Sequence, residues 1–433
     1  MQPRGCQSFF NEPELKMKRK NRFIVALSIG LTVIGLVKLA CVHKSASAQV
    51  SANTPSVVES KLMVANTQFS FKLFSEILKQ QPNQNIFISP SSITLALAMT
   101  YNGASGETQE AIAKTLQLQE ISIQEINQAN AALKASLENS DPNVQLSIAN
   151  SFWANETQPF NPQFIETIKR FYGAEVKNLN FGDPNSVSTI NNWVKQNTNG
   201  KIDTIVDQIK PPCILLNAIY FLGTWKYPFS QDETRNYPFN LLDGTHKEHP
   251  MMFQNLGDIQ YYKNDKFQAV SLPYGEEKLS MYIFLPNKEI SLNTFYKSLN
   301  AENWQKWINQ FHLYNQLDAS DELQIGLPRF KVEYEIKLND ALKALGMQIA
   351  FEEGADFSGI SNVPFWIELV KHKTFVEVNE EGTEAAAVTL VGSTRGGGRM
   401  IVDRPFFFVI RDNQTGTILF MGSIVEPDIG EAF

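Results

Sequence analysis

The chain has 433 residues, of which 43% are hydrophobic and 19% are charged, and it contains 30 Phe and 6 Trp. This composition supplies a large core and excludes an intrinsically disordered chain. The formal net charge of -7, without a long stripe of Lys or Arg beyond the N-terminal segment, argues against a nucleic-acid partner.

The N-terminal segment has the features of an export signal. Basic residues in MKRKNR, which begins at Met17, precede the apolar run FIVALSIGLTVIGLV, and a small-residue ASA motif ends at Ala48. This order predicts a signal peptide with an upstream extension over residues 1–48, and an extracellular or periplasmic mature chain. Two alternatives are retention of the apolar run as a membrane anchor and lipidation at Cys41. Residues 1–16 fit neither a signal nor a fold, and one explanation is a start codon assigned too far upstream.

The next part of the chain has mainly helical patterns. Residues 49–60 are polar and predict a linker, so the folded domain is expected over residues 61–433. In ANTQFSFKLFSEILKQ, apolar residues recur at helical spacing, with Asn66 or Thr67 available as the N-cap. NIFISPSSITLALAMTYNG predicts a short strand and a serine-capped helix that ends at Gly103, and another amphipathic helix follows.

Strand patterns dominate the rest of the chain. LSIANSFWAN predicts a strand, NPQFIETIKRFYG and STINNWVKQNTNG predict helices, and ILLNAIYFLGTW has the continuous apolar character of a strand buried on both faces. IQYYKNDKFQAVSLPYGEEKLSMYIFLP predicts a strand pair, two helices follow it, and LQIGLPRFKVEYEIKL, WIELVKHKTFVEV, MIVDRPFFFVIRD and ILFMGSIVEP predict further strands. Because neither an internal repeat nor a second linker interrupts these patterns, they indicate one α+β domain.

No pattern in the chain nominates a conventional active site. The HKEH run at residues 246–249 lacks the HExxH order of a zinc protease and precedes Pro250, so a solvent-exposed turn is the better interpretation. The sequence around Ser105 lacks GxSxG, and RGGGR at residues 395–399 lacks the context of a phosphate-binding loop. The three cysteines have neither zinc nor disulfide spacing, and Cys213 is interpreted as a buried apolar residue. We therefore expect neither an enzyme nor a metal or cofactor site.

The stretch EEGTEAAAVTL, at residues 380–390, is the least ordinary segment of the chain. It follows the strand-like KTFVEV and precedes the glycine-rich VGSTRGGGRM. A mobile surface loop is one interpretation; an unpaired strand is another, because strand alternation gives it one face of small side chains. That face consists of Thr383, Ala385, Ala387 and Thr389, and the opposite face of Glu384, Ala386, Val388 and Leu390. Such a strand could enter a sheet without overfilling the core, and Gly382 would give its hinge freedom.

This stretch resembles the reactive-loop hinge of inhibitory serpins, and DRPFFFVIRDNQTGTILFMGSIVEP resembles the C-terminal signature of that family. NIFISPSSI, NNWVKQNTNGKI, LLNAIYFLGTW, SLPYGEEKLSMYIFLP, LPRFKVEYEIKL and ADFSGI are similar to further motifs of the family, in family order, over nearly all of residues 60–430. The resemblance implies the serpin fold: an α+β domain with three β-sheets, eight or nine helices and an exposed reactive-centre loop.

The resemblance also implies a function. In this family a protease attacks the loop and forms an acyl-enzyme, and the cleaved loop then inserts into the central sheet and carries the protease with it. We therefore expect an inhibitor that acts as a suicide substrate, with a trypsin-like serine protease as its covalently bound partner. The inhibitor is expected to be a monomer, with loop–sheet polymers as a further form. The alternatives are a non-inhibitory serpin with a carrier, chaperone or storage role, and an inhibitor of elastase-like, subtilisin-like or cysteine proteases.

Particular residues match functional positions of the family. The hinge positions are Glu380, Glu381, Gly382, Thr383, Glu384, Ala385, Ala386, Ala387, Val388 and Thr389. The positions in the region where the central sheet opens are Ser89, Ser92, Asn217, His372 and Trp225. A turn and helix cap is the alternative interpretation of the two serines, and an ordinary core residue that of the tryptophan.

The resemblance leaves the reactive bond less well defined. Family spacing from the hinge glycine points to Gly396, but an arginine fills the anionic pocket of trypsin-like proteases, which favours Arg395. The predicted reactive bond is therefore Arg395-Gly396. The Gly396-Gly397 and Arg399-Met400 bonds are the alternatives.

Overall fold

A computed structural model of the chain describes residues 57–138, 141–317, 322–382 and 398–430. The α-helices within these ranges are α1 (Val57–Gln80), α2 (Pro90–Tyr101), α3 (Gly106–Leu116), α4 (Ile123–Glu138), α5 (Pro162–Tyr172), α6 (Asn185–Asn197), α7 (Leu292–Tyr296), α8 (Ala301–Ile308) and α9 (Asn339–Leu342). Short 3-10 turns lie at Gln231–Glu233, Tyr314–Gln316 and Gln348–Phe351, and a π-helical turn lies at Lys343–Met347. The predicted signal segment and Cys41 lie outside the described residues.

The strands in the same ranges form three sheets. They are β1 (Ile86–Ile88), β2 (Val144–Asn155), β3 (Glu175–Leu179), β4 (Cys213–Gly223), β5 (Arg235–Asn240), β6 (His246–Leu256), β7 (Gln260–Lys263), β8 (Phe267–Tyr274), β9 (Leu279–Pro286), β10 (His312–Leu313), β11 (Leu323–Pro328), β12 (Phe330–Lys337), β13 (Ile367–Val378), β14 (Gly398–Ile401), β15 (Phe406–Asp412) and β16 (Ile418–Ile424). The central five-stranded sheet has the order β12-β13-β4-β2-β3. The seven-stranded sheet has the order β1-β16-β15-β9-β8-β7-β10, and the four-stranded sheet has the order β14-β11-β6-β5. The predicted α+β fold with three sheets and eight or nine helices is confirmed.

Strand β4 is buried along its whole length, as its apolar run predicts. On one face, Ile214 and Leu216 pack in a cluster with Ile190 and Val194 of helix α6. The opposite face belongs to the main core, which includes the apolar side chains of helix α2. Burial on both faces therefore requires cover from helices on each side of the central sheet.

Helix α2 begins beneath the central sheet at a predicted serine cap. The Ser89 hydroxyl accepts a hydrogen bond from the Ser92 amide, and Pro90 occupies the first helical position, where its missing N–H costs nothing. Both serines are completely buried. The cap thus fixes two buried polar side chains directly under the strands.

The start of the first helix differs from the prediction. Helix α1 begins at Val57, within the predicted linker, so Asn66 and Thr67 lie inside the helix rather than at its cap. The Thr67 hydroxyl donates instead to the carbonyl of Met63 (2.8 Å). Residues 57–65 contain no glycine or proline that would interrupt a helix, whereas Pro55 lies just before its first residue, which explains the earlier start.

The predicted solvent-exposed turn at residues 246–249 is wrong, because these residues open strand β6. The turn lies earlier, where Gly244 has a φ of +83° and the Asp243 carboxylate accepts hydrogen bonds from Thr245. His249 is only 4% exposed, and its Nε2 donates to the Arg329 carbonyl (2.6 Å). Burial lowers the pKa of His249 below its usual value. The region predicted as a strand pair likewise contains three strands, β7, β8 and β9.

Candidate functional site

The candidate site lies at the junction of strands β4 and β13, here called the seam. These two strands are parallel neighbours, in register from Leu369 opposite Ile214 to Val376 opposite Phe221, with a shift of register between Ile367 and Leu369. Strand β4 is antiparallel to its other neighbour β2, and β13 is antiparallel to β12. The seam is thus a parallel pair with an antiparallel pair on each side, and the outer pair β2-β3 is parallel as well. Parallel pairing is slightly weaker per residue.

The chain reverses direction where β13 ends. Asn379 and Gly382 exchange both backbone hydrogen bonds (3.2 Å each), so residues 379–382 form a tight turn, here called the hinge turn. The Asn379 side chain accepts a further hydrogen bond from the amide of Glu381 (3.1 Å). Gly382 is therefore paired antiparallel with Asn379, at the end of the seam.

Trp225 holds the hinge turn against the end of β4. Its backbone amide donates to the Glu381 carbonyl and its indole N–H donates to the Asn379 carbonyl, both at 3.0 Å. The indole is buried and stacks on Tyr274 with ring centroids 4.3 Å apart. Trp225 therefore lies at the end of β4, in direct contact with the hinge turn.

Glu380 is the most buried charge of the hinge turn, with 3% exposure. Its Oε1 accepts from Arg329 Nε (2.7 Å) and Nη2 (2.5 Å) and from the Thr234 hydroxyl. A buried carboxylate is stable only when it is paired and hydrogen-bonded, so these partners fix the turn. Sequence reasoning missed Arg329 and Thr234, because both lie far from the hinge in the chain and their contact with Glu380 depends on the fold.

Gly382 cannot carry a side chain without moving the turn. Its φ is +105°, and a Cβ at this position would lie 2.2 Å from the carbonyl oxygen of Gly223 and 2.6 Å from the amide nitrogen of Trp225. Both neighbours are backbone atoms that cannot rotate away. The glycine predicted to give the hinge its freedom thus also allows close packing against β4.

A row of three polar side chains crosses the seam in the middle of the sheet. Asn150 of β2, Asn217 of β4 and His372 of β13 lie directly opposite one another, and this set is here called the polar row. All three are buried. Asn150 was not predicted, because a single Asn within an apolar strand gives no signal until the strand register is known.

Hydrogen bonds connect the polar row to the start of helix α2. The Ser89 amide donates to His372 Nε2 (3.0 Å), His372 Nδ1 lies 2.5 Å from Asn217 Oδ1, and the Asn217 amide group donates to the Ser92 hydroxyl and to Asn150 Oδ1. This pattern requires a neutral imidazole with its proton on Nδ1. Complete burial lowers the pKa of His372 to about 3, which keeps it neutral. The seam therefore cannot open without breaking the bond between His372 and Asn217.

The predicted reactive bond lies outside the described residues, as do the hinge positions from Thr383 to Thr389. The chain re-enters the structure at Gly398, the first residue of β14. The alternative Arg399-Met400 bond lies within this strand, opposite β11, and Met400 is completely buried. A protease could reach that bond only after β14 had separated from its neighbour.

Other chemistry has little support in the part of the chain that the structure describes. No group of His, Cys, Asp or Glu side chains there could hold a metal ion, and no helix there has the length and apolarity to cross a membrane. Cys213 is completely buried, as predicted, and burial raises the pKa of its thiol. Its thiol therefore has no character of a reactive cysteine.

Comparisons with known proteins place these features in one family. The family model for serpins, described as serine protease inhibitors, matches residues 64–427. The chain is 36% identical over 381 residues to the human leukocyte elastase inhibitor, an alignment that covers 85% of this chain and 100% of the relative. Among solved structures, it is similar to the thermophilic serpin tengpin in its native state, with a TM-score of 0.77 and 32% identity over 87% of this chain and 96% of that one. Human thyroxine-binding globulin matches with a TM-score of 0.79 and 27% identity over 86% of this chain and 99% of that one.

Proposed function

The chain belongs to the serpin family, and from this premise we propose that it traps a serine protease by inserting its own cleaved loop into the central sheet. The observation that carries the proposal is the geometry of the seam. Two parallel strands lie side by side, and directly after one of them the hinge turn pairs Gly382 antiparallel with Asn379. A strand inserted there would be antiparallel to both neighbours.

The hinge turn also sets the register of the inserted strand. Continuing the pair formed by Asn379 and Gly382 puts Thr383 opposite Val378, Ala385 opposite Val376, Ala387 opposite Thr374 and Thr389 opposite His372. These four residues of β13 face the core and are at most 2% exposed. The small-residue face of the loop would thus enter the crowded side of the sheet, as its composition favours.

Insertion would rebuild the polar row rather than leave it unpaired. Thr389 would lie between His372 and Asn217, whose direct hydrogen bond must break when the seam opens. A threonine hydroxyl can both donate and accept, so it can satisfy the two separated side chains. This register supports Thr389 as the residue that closes the row again.

The change in strand pairing supplies the driving force. One parallel pair is replaced by two antiparallel pairs, and the backbone groups of the loop gain partners on both sides. Strand β13 has 12 residues. At about 3.3 Å per residue, a strand of this length would carry an attached protease roughly 40 Å along the sheet.

Arg395-Gly396 remains our proposed reactive bond. Arginine suits the anionic specificity pocket of trypsin-like proteases, whereas glycine is a weak anchor. The pairing and burial of β14 argue against Arg399-Met400 as the first bond to be cut. Cleavage at Gly396-Gly397, by an elastase-like or subtilisin-like protease, remains the alternative.

Incubation with trypsin tests this function. We expect an SDS-stable complex, together with a released C-terminal fragment whose first residue is Gly396. Trypsin with its catalytic serine replaced by alanine should form no such complex, because no acyl-enzyme can form. Cleavage of the chain with undiminished trypsin activity would contradict inhibition of trypsin. The same outcome with elastase-like, subtilisin-like and cysteine proteases would favour a non-inhibitory carrier, chaperone or storage role.

Export through the N-terminal segment is a separate proposal. Its test is N-terminal sequencing of the natural protein recovered from the culture medium and from the cell fractions. We expect a mature chain that begins near Gln49. Recovery of an uncleaved chain with the membranes would support the anchor instead, and a lipid on Cys41 would support lipidation.

A further inference from the structure

The C-terminal end of the reactive loop is a weakly paired edge. Among the residues that the structure describes, strand β14 has four residues, begins at Gly398 and pairs with β11 alone. Met400 is its one completely buried side chain, while Arg399 is exposed. An edge strand of this length has little pairing energy of its own.

One tyrosine lies directly against the first residue of this strand. The Gly398 amide donates to the Tyr314 hydroxyl (3.0 Å), and a Cβ on Gly398 would lie only 2.1 Å from that oxygen. The phenol ring therefore occupies the space that any larger residue would need. This contact accounts for the third glycine of the RGGGR run, which the proposed inhibition leaves unexplained.

Tyr314 is held by a different sheet from the one that contains Gly398. Its side chain is 3% exposed and packs edge-on against Tyr261 of β7, with ring centroids 5.5 Å apart. Its backbone amide donates to the Ile259 carbonyl (2.9 Å), and the preceding β10 pairs with β7. The hydroxyl thus ties the edge of the four-stranded sheet to the seven-stranded sheet.

We propose that Tyr314 is a positioning residue that anchors the C-terminal end of the reactive loop at Gly398. The proposal rests on the proposed function. The uncut loop is attached at Gly382 and at Gly398, so it can insert along the seam only if one attachment is released. Cleavage releases it when a protease is bound, whereas detachment of β14 would release it without a protease.

The anchor therefore keeps the loop available as a substrate. In the sequence, only Gly397 separates the proposed reactive bond from the anchored residue. A protease that attacks this bond would release the C-terminal side of the loop, which is the side attached at Gly398. Loss of the anchor should convert intact chains into an inserted form that no longer inhibits.

The first test is amide exchange in the intact chain, without a protease. Tyr314→Phe removes the hydroxyl and keeps the ring, and we expect about fivefold faster exchange at residues 398–401, in line with the loss of one hydrogen bond. Exchange in β5 and β6 should stay unchanged. Tyr261→Phe is the matched control, because it removes the neighbouring hydroxyl, which bonds Gln268 and does not touch Gly398.

A double-mutant cycle adds a readout specific to the contact. Gly398→Ala should loosen β14 strongly, because its methyl group would overlap the tyrosine hydroxyl. In the Tyr314→Phe background the same substitution should cost less, because the overlapping oxygen is gone. Additive effects would mean that the two residues do not interact, and would overturn the proposal.

The last readout is the spontaneous loss of trypsin inhibition during storage, without cleavage of the chain. Tyr314→Phe should lose its activity several times faster than the wild type, and Tyr261→Phe at the wild-type rate. Unchanged exchange at residues 398–401 in Tyr314→Phe, or equal effects in the two Phe variants, would overturn the anchor. Amide exchange alone decides whether Gly398 is anchored. Failure of the wild type to inhibit any protease would therefore contradict the proposed function and would leave the result on the anchor unaffected.

Discussion

Among the individual side chains, His372 makes the stability of the fold depend on pH. Its pKa is about 3 in the folded chain and near 6.5 when exposed, so the unfolded chain binds an additional proton between these values. Its contribution to stability is complete above pH 6.5 and falls as the pH decreases towards 3. Between pH 6.5 and 5 the loss is about 2 kcal/mol, at 1.36 kcal/mol for each pH unit.

Urea unfolding at several pH values measures this dependence. His249 also has a lowered pKa and adds to the wild-type slope, so the comparison is made with variants. His372→Gln should be less stable at pH 7 but should lose part of the slope between pH 6.5 and 5. His312→Gln, at an exposed position, is the matched substitution control. An unchanged slope in His372→Gln would show that the imidazole is not held neutral by the fold.

Gly382 controls how closely the hinge turn packs on β4. In Gly382→Ala, the alanine would have to adopt a φ of +105°, and its Cβ would overlap backbone atoms of Gly223 and Trp225. We expect this to destabilise the docked turn by about 2 kcal/mol. The amides of Trp225 and Phe229 donate to carbonyls of the turn, so their exchange should become about 30-fold faster. Gly354→Ala is the control, because no atom lies within 4 Å of its added Cβ. If the amides of Trp225 and Phe229 were equally protected from exchange in both variants, packing of the hinge turn on β4 would not require glycine at position 382.

At the level of strands and helices, sequence patterns predicted the elements but not their contacts. The continuous apolar run of β4 and the serine cap of α2 follow from local rules, and both are present in the structure. Asn150 joins the polar row only because β2 pairs with β4 in one register, and that register depends on the whole sheet. The hydrogen-bond partner of the buried His249 is likewise the carbonyl of Arg329, which is remote in the chain.

The register of the inserted strand predicts opposite effects for two adjacent residues. Thr383 would face the core opposite Val378, whereas Glu384 would lie on the other face opposite Glu377. Thr383→Arg should therefore turn the inhibitor into a substrate, because a charge would enter the buried face. Glu384→Arg should retain inhibition, because its new charge faces a carboxylate. The yield of SDS-stable complex at increasing ratios of inhibitor to trypsin measures both, and equal yields in the two variants would exclude this register.

For the molecule as a whole, the proposal requires that the intact fold is not its most stable state. In this proposal the hinge turn, the polar row and β14 keep the seam closed, and cleavage of the loop would allow it to open. If about ten new backbone hydrogen bonds form on insertion, the gain is roughly 10 kcal/mol, enough to raise Tm on the order of 20 °C. The cleaved chain should therefore melt far above the intact one in calorimetry.

A variant that is cleaved but cannot insert its loop separates two causes of a higher Tm, namely strand insertion and relief of strain in the uncut loop. Thr383→Arg can still be cut in its loop, but the buried charge should prevent the strand from entering the seam. Its cleaved form should melt close to its own intact form, whereas cleaved Glu384→Arg should show the full increase. If cleaved Thr383→Arg gained as much as the wild type, the stabilisation would come from relief of strain in the uncut loop, and strand insertion in this register would not be its cause.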